Sequence, residues 1–330
     1  MRATIFVLAI SFPAVAAAQD SAPAVRAESP AVTSAQPPGA PSARRPAERR
    51  RRGSMVGYIT DATIENQVRL RFDAGYHIDF PDRTEFFYAQ CGCNGGGAPG
   101  PKGLATDLNF QQISVDAQYA VNRRFAVFAT LPARFIQPQS FFLPAVAGSF
   151  GNQSGIGDVR AGVKAALVSA DDTTLTVQVQ GYFPTGDAGK GLGTDHSSFE
   201  TALLLNGRVS DRVAVESMIG DWHPIGASTF KGSSYAGDVL FYGIGPSFEL
   251  VNTPRLTFAP VIELVGWHVF GGLTVKTGTV IPGDANIVNL KFGARTTIDN
   301  RSSFYVGYGR ALTDSVWYSD ILRLEYRYSF

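Results

Sequence analysis

The residue string Asp195-His196-Ser197-Ser198 contains the side-chain types needed for hydrolysis by a serine nucleophile. Such chemistry needs a base bonded to the nucleophile and a third group that orients the base. Successive residues of a strand point to opposite faces, so His196 and Ser198 share a face whereas Ser197 does not. No orienting partner is recognisable on a neighbouring strand. The sequence therefore predicts no enzyme, and a lipid hydrolase using His196 and Ser198 is kept as an alternative.

The chain has two cysteines and four histidines, which limits the metal and redox sites that it can build. Cys91 and Cys93 form a lone Cys-x-Cys pair without the further ligands of a structural zinc site. After export, such a pair suits a local disulfide or a loop staple. His77, His223 and His268 fall near predicted strand ends with no shared spacing. The sequence predicts no metal and no cofactor, and it shows no phosphate-binding glycine loop between a strand and a helix.

The N-terminus predicts export from the cytoplasm. Met1-Arg2 is followed by an apolar core up to Ile10 and by small residues up to Ala18, which is the pattern of a signal peptide. We assign residues 1–18 to the signal peptide and residues 19–54 to a disordered periplasmic tether rich in Pro, Ala and Arg. The tether has no aromatic residue with which to form a core. Its arginines between Arg44 and Arg52 suit an anionic envelope polymer, and a solvated linker is the other interpretation.

From Gln67 onward, apolar and polar residues alternate with the period of a β-strand. Val68 and Leu70 alternate with Arg69 and Arg71. The same alternation recurs at 112–119, 159–167, 174–180, 256–264 and 288–295. After residue 18 no apolar run approaches the ~18 residues of a membrane helix. A net charge of +1 does not indicate a nucleic-acid binder. The sequence predicts an all-β chain.

The predicted connections between strands fall into two length classes. Short turns are predicted at 122–124, 170–172, 210–212, 252–254 and 299–301, and long Gly- and Pro-rich loops at 78–108, 136–156, 184–197, 222–237, 267–285 and 312–320. Short turns at one end and long loops at the other are typical of outer-membrane barrels. We therefore predict an antiparallel transmembrane outer-membrane β-barrel of about twelve strands over residues 55–330, located in the cell outer membrane.

The last strand carries aromatic residues at alternate positions up to the C-terminus. Tyr326, Tyr328 and Phe330 share one face, and Arg327 lies on the other. In a soluble protein this strand would be an exposed apolar edge prone to aggregation. In a barrel it pairs with the first strand, and its outward aromatics join an interfacial girdle. We interpret Tyr326, Tyr328 and Phe330 as an assembly signal for the barrel-assembly machinery.

Two glycine-rich segments lie in the middle of the chain. They are Gly155-Ile156-Gly157-Asp158-Val159, followed by Gly162 and Lys164, and Phe183-Pro184-Thr185-Gly186-Asp187, followed by Lys190-Gly191-Leu192-Gly193. Over about residues 154–250 they resemble the outer-membrane proteins named for the meta-pathway of phenol degradation. The resemblance implies a channel-like barrel that passes hydrophobic or aromatic nutrients. The second segment also has the chemistry of a turn at a strand end.

Charged residues at inward strand positions are expected to face the lumen, because a Lys or Arg facing lipid at the midplane costs ~2–4 kcal/mol. The predicted lumen-lining residues are Arg69, Arg71, Asp73, Asp116, Arg160, Lys164, Glu200, Arg208, Glu263, Lys291, Arg295, Arg323, Glu325 and Arg327. In one interpretation these charges line an aqueous path. In the other they pair with each other and close the lumen. A twelve-stranded barrel lies between barrels filled by side chains and wide pores, so both interpretations stay open.

We expect a narrow channel that passes small solutes, including aromatic or anionic ones, by passive diffusion. One alternative is a plugged structural barrel that anchors the envelope through its basic tether, and the other is the lipid hydrolase. The expected partners are outer-membrane lipid, the barrel-assembly machinery, a small-molecule solute and an anionic envelope polymer at Arg44–Arg52. No nucleic acid is expected.

Overall fold

The computed structural model describes residues 53–78, 100–142, 149–276 and 279–330. The predicted signal peptide, the tether up to residue 52, and Cys91 and Cys93 lie outside these described residues. The interpretation of the two cysteines therefore stays a prediction.

Twelve long strands form the described wall of the barrel. They are β1 (Gln67–Ile78), β2 (Ala105–Ala120), β3 (Phe125–Phe141), β4 (Val159–Ser169), β5 (Thr173–Phe183), β6 (Ser197–Arg208), β7 (Val213–Ile225), β8 (Asp238–Phe248), β9 (Leu256–Phe270), β10 (Ala285–Ile298), β11 (Ser302–Ala311) and β12 (Asp320–Ser329). Each strand pairs antiparallel with its neighbours in the sequence. Strand β12 also pairs with β1, where Val68 lies opposite Tyr328 and Leu70 lies opposite Tyr326. The sheet is closed, which confirms the predicted all-β antiparallel barrel of about twelve strands.

Short connections at one end of the barrel follow from local turn chemistry. Asp299 and Asn300 both adopt positive φ values, 50° and 54°, as a two-residue hairpin turn between twisted strands requires. The turn between β2 and β3 is stabilised by the Asn122 side chain, which accepts hydrogen bonds from the backbone N–H groups of Arg124 and Phe125 at 2.8 and 3.0 Å. We call this side of the barrel the short-turn end.

Several strands extend into regions where the sequence predicts loops. Strand β3 continues to Phe141, β7 to Ile225 and β9 to Phe270. Alternation is weaker in these extensions because Pro and polar residues interrupt it, yet backbone pairing with the next strand continues. Shorter elements also occur there or nearby: Gln153–Ile156 pairs with β3, Val251–Asn252 pairs with β9, Thr229–Phe230 pairs with Ser233–Ser234, Leu273–Lys276 pairs with Thr279–Pro282, and Ala188–Lys190 forms a 3₁₀ turn.

The outer face of the barrel is apolar. Exposed aliphatic side chains around its middle include Leu70, Val115, Val163, Val179, Leu203, Ile219, Ile244, Ile262, Val306 and Leu324. Exposed aromatic side chains lie near both ends, among them Phe125 and Phe304 at the short-turn end and Phe183 and Phe270 at the other. An apolar band between two aromatic girdles is the surface that a membrane-spanning barrel presents to lipid. No helix in the described part of the chain is long and apolar enough to cross a membrane.

The inner face is polar and densely occupied. Glu263 and Arg295 are fully buried there. Apolar residues from just before β1, including Met55, Val56 and Ile59, are also buried against this inner face. The predicted boundary between tether and barrel at residue 54 falls within this stretch, since residues 53–66 precede the first strand and lie inside the barrel. Buried charges need partners, because an uncompensated charge in a low-dielectric site is costly.

Candidate functional site: the barrel lumen

The lumen contains the chain's own residues 53–66, called the luminal segment below. Gly53 lies near the short-turn end, in a small cavity shared with Asn300. At the apex of the segment, the Tyr58 hydroxyl donates to the main-chain oxygen of Gly307 in β11 at 3.2 Å. The chain then returns to begin β1 at Gln67 at the short-turn end. The luminal segment therefore enters and leaves the barrel through the same opening.

One buried carboxylate binds the apex of the luminal segment. Glu263 accepts backbone hydrogen bonds from Gly57 at 2.9 Å, Tyr58 at 2.8 Å and Ile59 at 2.8 Å. It also accepts the hydroxyl of Tyr305 at 3.0 Å. Hydrogen bonds to an ionised group contribute about 1.5–3 kcal/mol each, roughly twice a neutral one. Glu263 is therefore the strongest single attachment of the apex to the barrel wall.

A second carboxylate and an arginine bind the entering limb of the segment. Glu216 accepts the backbone N–H of Met55 at 2.7 Å and that of Val56 at 3.3 Å. Arg295 donates to the carbonyl oxygens of the same two residues at 3.0 and 2.7 Å. Arg323 donates to the Gly57 carbonyl at 2.6 Å. Buried main-chain groups that have no strand partner are satisfied here by side chains of the wall.

The returning limb is attached in the same way. Lys164 donates to the Asp61 carbonyl at 2.7 Å, and Thr176 donates to the Ala62 carbonyl at 2.6 Å. Arg327 lies 3.2 Å from the Asp61 carboxylate. The luminal segment has no regular secondary structure of its own. Polar side chains of the inner face bind its backbone groups instead.

Acids and bases of the wall also pair with each other. Arg323 makes two bonds to Asp73 at 2.6 and 3.1 Å. Glu325 accepts from Arg295 at 2.8 Å and from Arg327 at 3.1 Å. Breaking a buried pair by removing one partner typically costs ~3–5 kcal/mol, because the other charge is left uncompensated. The pairs keep the arginines in position to bind the segment.

Two cavities lie on either side of the luminal segment. The outer cavity has a volume of about 100 Å³ and borders the apex at Gly57, Tyr58, Ile59 and Thr60. The inner cavity has a volume of about 160 Å³ and borders the base of the segment, including Met55. Each has room for a few water molecules or a small solute. The luminal segment separates them along the barrel axis.

The outer cavity has a basic wall and an aromatic wall. Strands β1 and β4 contribute Arg69, Arg71, Arg160 and Lys164 to the basic wall. Strands β7 to β9 and the last outer loop contribute the aromatic wall, which includes Trp222, Phe241, Trp267 and Trp317. Lys291 and Arg323 also line the cavity, and the facing carboxylates are Asp116 and Glu200. The lining therefore carries six bases against two acids, a potential that attracts anions.

Arg160 is a buried basic residue of this lining with unused hydrogen-bonding capacity. It is 7% exposed, and its Nε and Nη2 atoms have no hydrogen-bond partner among the described residues. Its guanidinium lies 5.7 Å from the centre of the Tyr182 ring. A buried guanidinium with free donors is suited to bind an oxyanion.

The glycine-rich segments that carry the family resemblance fold over the outer part of the lumen. Asp158 accepts hydrogen bonds from the backbone N–H groups of Gly186 at 3.0 Å and Thr194 at 2.8 Å. A Cβ atom at Gly193 would lie 2.6 Å from the Asp158 carboxylate, so only glycine fits this approach. Arg134 donates to the Leu192 carbonyl at 3.0 Å and fixes the same loop to β3. These motif residues hold an outer loop in place.

All fourteen residues named as lumen-lining lie on the inner side of the wall, in three groups. Lys164, Glu263, Arg295, Arg323 and Arg327 bind the luminal segment. Arg69, Arg71, Asp116, Arg160, Glu200 and Lys291 line the outer cavity, as do Lys164 and Arg323. Asp73 and Glu325 pair with arginines, and Arg208 bonds to Glu249 near the short turns. Tyr326, Tyr328 and Phe330 are exposed on the outer face.

The luminal segment and its apex residue Tyr58 are not predicted by the strand and turn patterns of the sequence. A signal was present, because Met55-Val56-Gly57-Tyr58-Ile59 is an apolar cluster between a tether without aromatics and the first alternating strand. It has neither the period of a strand nor that of a helix. An apolar cluster of this kind is expected to be buried against other residues, but the residues that bury it lie far away in sequence.

The predicted hydrolase residues have structural partners. The Ser198 hydroxyl accepts a hydrogen bond from the Trp222 indole at 2.8 Å. The Nδ1 atom of His196 lies 2.8 Å from the Thr194 carbonyl and donates to it. Burial lowers the pKa of the His196 imidazole, which favours the neutral ring. The hydrogen bonds described here join the His196 ring to Thr194 and the Ser198 hydroxyl to Trp222.

The other three histidines lie near strand ends, each with a neighbour of its own. His77 pairs with Asp107 at 3.1 Å, His223 with Asp238 at 2.5 Å, and His268 with Asn286 at 2.5 Å. Over the described residues there is no group of three or more His, Cys, Asp and Glu side chains placed to hold a metal ion.

Comparison with known proteins identifies the fold. The chain is similar to the crystal structure of an outer membrane channel from Pseudomonas putida F1, with a TM-score of 0.51 and 16% identity over 81% of this chain and 96% of that one. The beta domain of the Bordetella autotransporter BrkA gives a TM-score of 0.48 and 14% identity over 81% and 100% of the two chains. LpxR from Salmonella typhimurium gives 0.44 and 10% identity over 80% and 100%. No protein-family model matches the chain, and no curated protein matches it by sequence.

The closed barrel, its apolar outer band and its likeness to an outer-membrane channel agree with one another. The chain has the fold of an outer-membrane β-barrel, and its location is the outer membrane.

Proposed function

We propose that the protein is an outer-membrane channel for small anionic solutes, and that the luminal segment closes it at rest. Transport is passive diffusion down a gradient, and selection depends on the width and charge of the lumen. The same proposal includes membership of the meta-pathway family that the glycine-rich segments resemble. The partners that it implies are outer-membrane lipid, the barrel-assembly machinery acting on Tyr326, Tyr328 and Phe330, and the solute itself.

The observation that carries this proposal is the pair of polar cavities separated by the luminal segment. A purely structural barrel does not require a polar cavity lined by six bases and two acids on one side of the luminal segment. The segment is attached by hydrogen bonds and ion pairs to side chains rather than by strand pairing, so it is able to leave without opening the barrel wall. Its departure joins the two cavities into one path.

Replacement of Arg160 tests the anion preference. We expect Arg160→Glu to lower the ratio of anion to cation permeability at least threefold, because it reverses the charge at a buried basic residue of the outer cavity whose Nε and Nη2 donors are free. The measurement is the reversal potential in a planar bilayer under a salt gradient, in both the full chain and a form without the luminal segment. Arg160→Gln repeats the test without adding an acid beside Asp116.

The matched control is Arg255→Glu, which makes the same charge change at an exposed short turn. We expect it to leave the reversal potential unchanged. A conducting barrel whose selectivity is the same in the native chain, in Arg160→Gln and in Arg160→Glu would contradict the proposed role of the basic wall.

A plugged structural barrel is the second candidate, and the filled lumen is the observation that favours it. In this case the basic tether at Arg44–Arg52 binds an anionic envelope polymer and the segment never leaves. Sedimentation of the full chain and of a form lacking residues 19–52 with purified envelope polymer separates the two functions. Loss of co-sedimentation together with silence in the bilayer would favour the anchor.

We also propose that the protein is not an enzyme. Ser198→Ala removes the candidate nucleophile and leaves the Trp222 indole without its acceptor, so we expect slightly lower thermal stability, by about 1 kcal/mol. We expect no change in conductance and no phospholipid-hydrolysing activity in either protein. Hydrolysis by the native barrel that is absent from Ser198→Ala would establish the hydrolase instead.

A further inference from the structure

The side chain of Tyr58 lies in a cage of cations and aromatic rings. The Lys291 ammonium is 3.9 Å from the centre of its ring, and the Arg323 guanidinium is 4.2 Å away. The Tyr305 ring meets it edge-on at 6.2 Å and 81°. The Tyr58 hydroxyl donates to the Gly307 carbonyl at 3.2 Å. We call these wall residues the Tyr58 cage. Together they recognise an aromatic ring with a hydroxyl donor.

The Tyr58 cage is held in place by the barrel rather than by Tyr58. Asp73 fixes Arg323 through two hydrogen bonds, at 2.6 and 3.1 Å. Lys291 donates to the Tyr318 hydroxyl at 2.9 Å. Tyr305 donates to Glu263 at 3.0 Å. Each of the three side chains therefore has a wall partner that stays when the luminal segment leaves, although Arg323 then loses its bond to the Gly57 carbonyl.

The cage opens onto the outer cavity. Tyr58, Lys291 and Arg323 line that cavity together with Trp267 and Trp317. A solute in the cavity is in contact with the cage before it can pass the apex of the segment. Cation–π contacts are stronger when they are desolvated, and a saturated ring of the same size does not make them.

We propose that the Tyr58 cage is a binding site for the phenolic ring of a small solute, and that Tyr58 occupies it as an internal competitor. A phenol that enters the cage displaces Tyr58 and releases the apex of the luminal segment. This inference rests on the proposed function in one respect, since it requires that solutes reach the outer cavity. It adds a binding site in the lumen and a link between ligand binding and opening.

Tyr58→Ala in the full-length refolded barrel provides the direct test. The probe is p-cresol, which is the side chain of tyrosine as a free molecule, and the readout is calorimetry or the fluorescence of Trp267 and Trp317. We expect Tyr58→Ala to bind p-cresol at least tenfold more tightly than the native chain, because no internal ring has to be displaced. We expect 4-methylcyclohexanol, which keeps the hydroxyl and loses the aromatic face, to bind at least tenfold more weakly. Lys291→Met added to Tyr58→Ala should weaken p-cresol binding.

Equal binding of p-cresol and 4-methylcyclohexanol to Tyr58→Ala would overturn the inference, because it would show general partition into an apolar space. Equal p-cresol affinity in the native chain and in Tyr58→Ala would also overturn it. Heat-modifiable migration on a gel verifies that each variant is folded.

The native chain gives a second test that does not depend on the variant folding. We expect p-cresol to speed hydrogen exchange of the amides of residues 57–59 at least fivefold, and the saturated analogue to leave it unchanged. No change in exchange at saturating p-cresol would contradict the competition. These readouts need no ionic current. A barrel that binds p-cresol in the cage and never conducts refutes the channel alone, and an anion-selective barrel without cage binding refutes the cage alone.

Discussion

Deleting residues 54–64 is expected to raise the single-channel conductance of the purified barrel at least tenfold. The deletion removes the part of the chain that lies between the outer cavity of about 100 Å³ and the inner cavity of about 160 Å³. The wall is unaffected, because each of its strands pairs with its neighbours independently of the segment. Water that enters the emptied lumen hydrates Glu216, Glu263 and Arg295, which limits the cost of losing their partners. The measurement is current through single barrels in a planar bilayer.

The control deletes the same number of residues, 30–40, from the tether and leaves the luminal segment in place. We expect its conductance to equal that of the native chain. Conductance that is unchanged by deletion of residues 54–64 in a folded barrel would show that the path is closed elsewhere.

Replacement of Gly57 by alanine is a second way to open the lumen. A Cβ atom at Gly57 would lie 2.1 Å from the Tyr305 ring, which is fixed by its bond to Glu263. Gly57→Ala therefore pushes the apex away from the wall, and we expect more frequent opening events in the bilayer.

Glu263→Gln is expected to release the apex of the luminal segment while the strands of the barrel wall stay paired. The carboxylate accepts three backbone N–H groups and the Tyr305 hydroxyl. An amide has one oxygen, and its NH₂ group would face donors. Loss of these charge-assisted bonds costs about 2 kcal/mol or more, which corresponds to roughly 30-fold faster exchange of the amides of residues 57–59. Hydrogen exchange followed by mass spectrometry of the peptide spanning the segment measures this.

Glu200→Gln is the matched control for this substitution. Glu200 is also a luminal carboxylate, but it accepts hydrogen bonds from Gln180 and Tyr182 of the wall, at 2.7 and 2.6 Å. We expect exchange of the segment in Glu200→Gln to match the native rate. Similar exchange in both variants would mean that the luminal segment is held mainly by its arginine and lysine contacts.

The fold could be predicted because strand alternation and turn chemistry depend on residues that are close together in the sequence. Side chains of a strand alternate between two faces whatever the rest of the chain does, so Leu70 and Arg71 indicate an outer and an inner face from sequence alone. The turn at Asp299-Asn300 likewise depends on residues that tolerate a positive φ. Where the alternation weakens, as at the outer end of β9, the strand continues through backbone pairing that the sequence does not display.

The lumen could be predicted only in part. Alternation placed the charged residues inward, but it does not reveal which of them bind each other and which bind the chain. Glu263 lies more than two hundred positions from the backbone groups of Gly57 that it binds, and no local pattern connects them.

The sequence by itself determined an exported antiparallel barrel with an apolar outside and a charged inside, because period and turn chemistry act between neighbours in the chain. The tertiary structure alone decided that residues 53–66 fill the lumen and that Tyr58 occupies a cage of Lys291, Arg323 and Tyr305. The reason is that closing the sheet brings side chains from distant strands around one axis. A short segment without secondary structure takes its conformation from whatever surrounds it there.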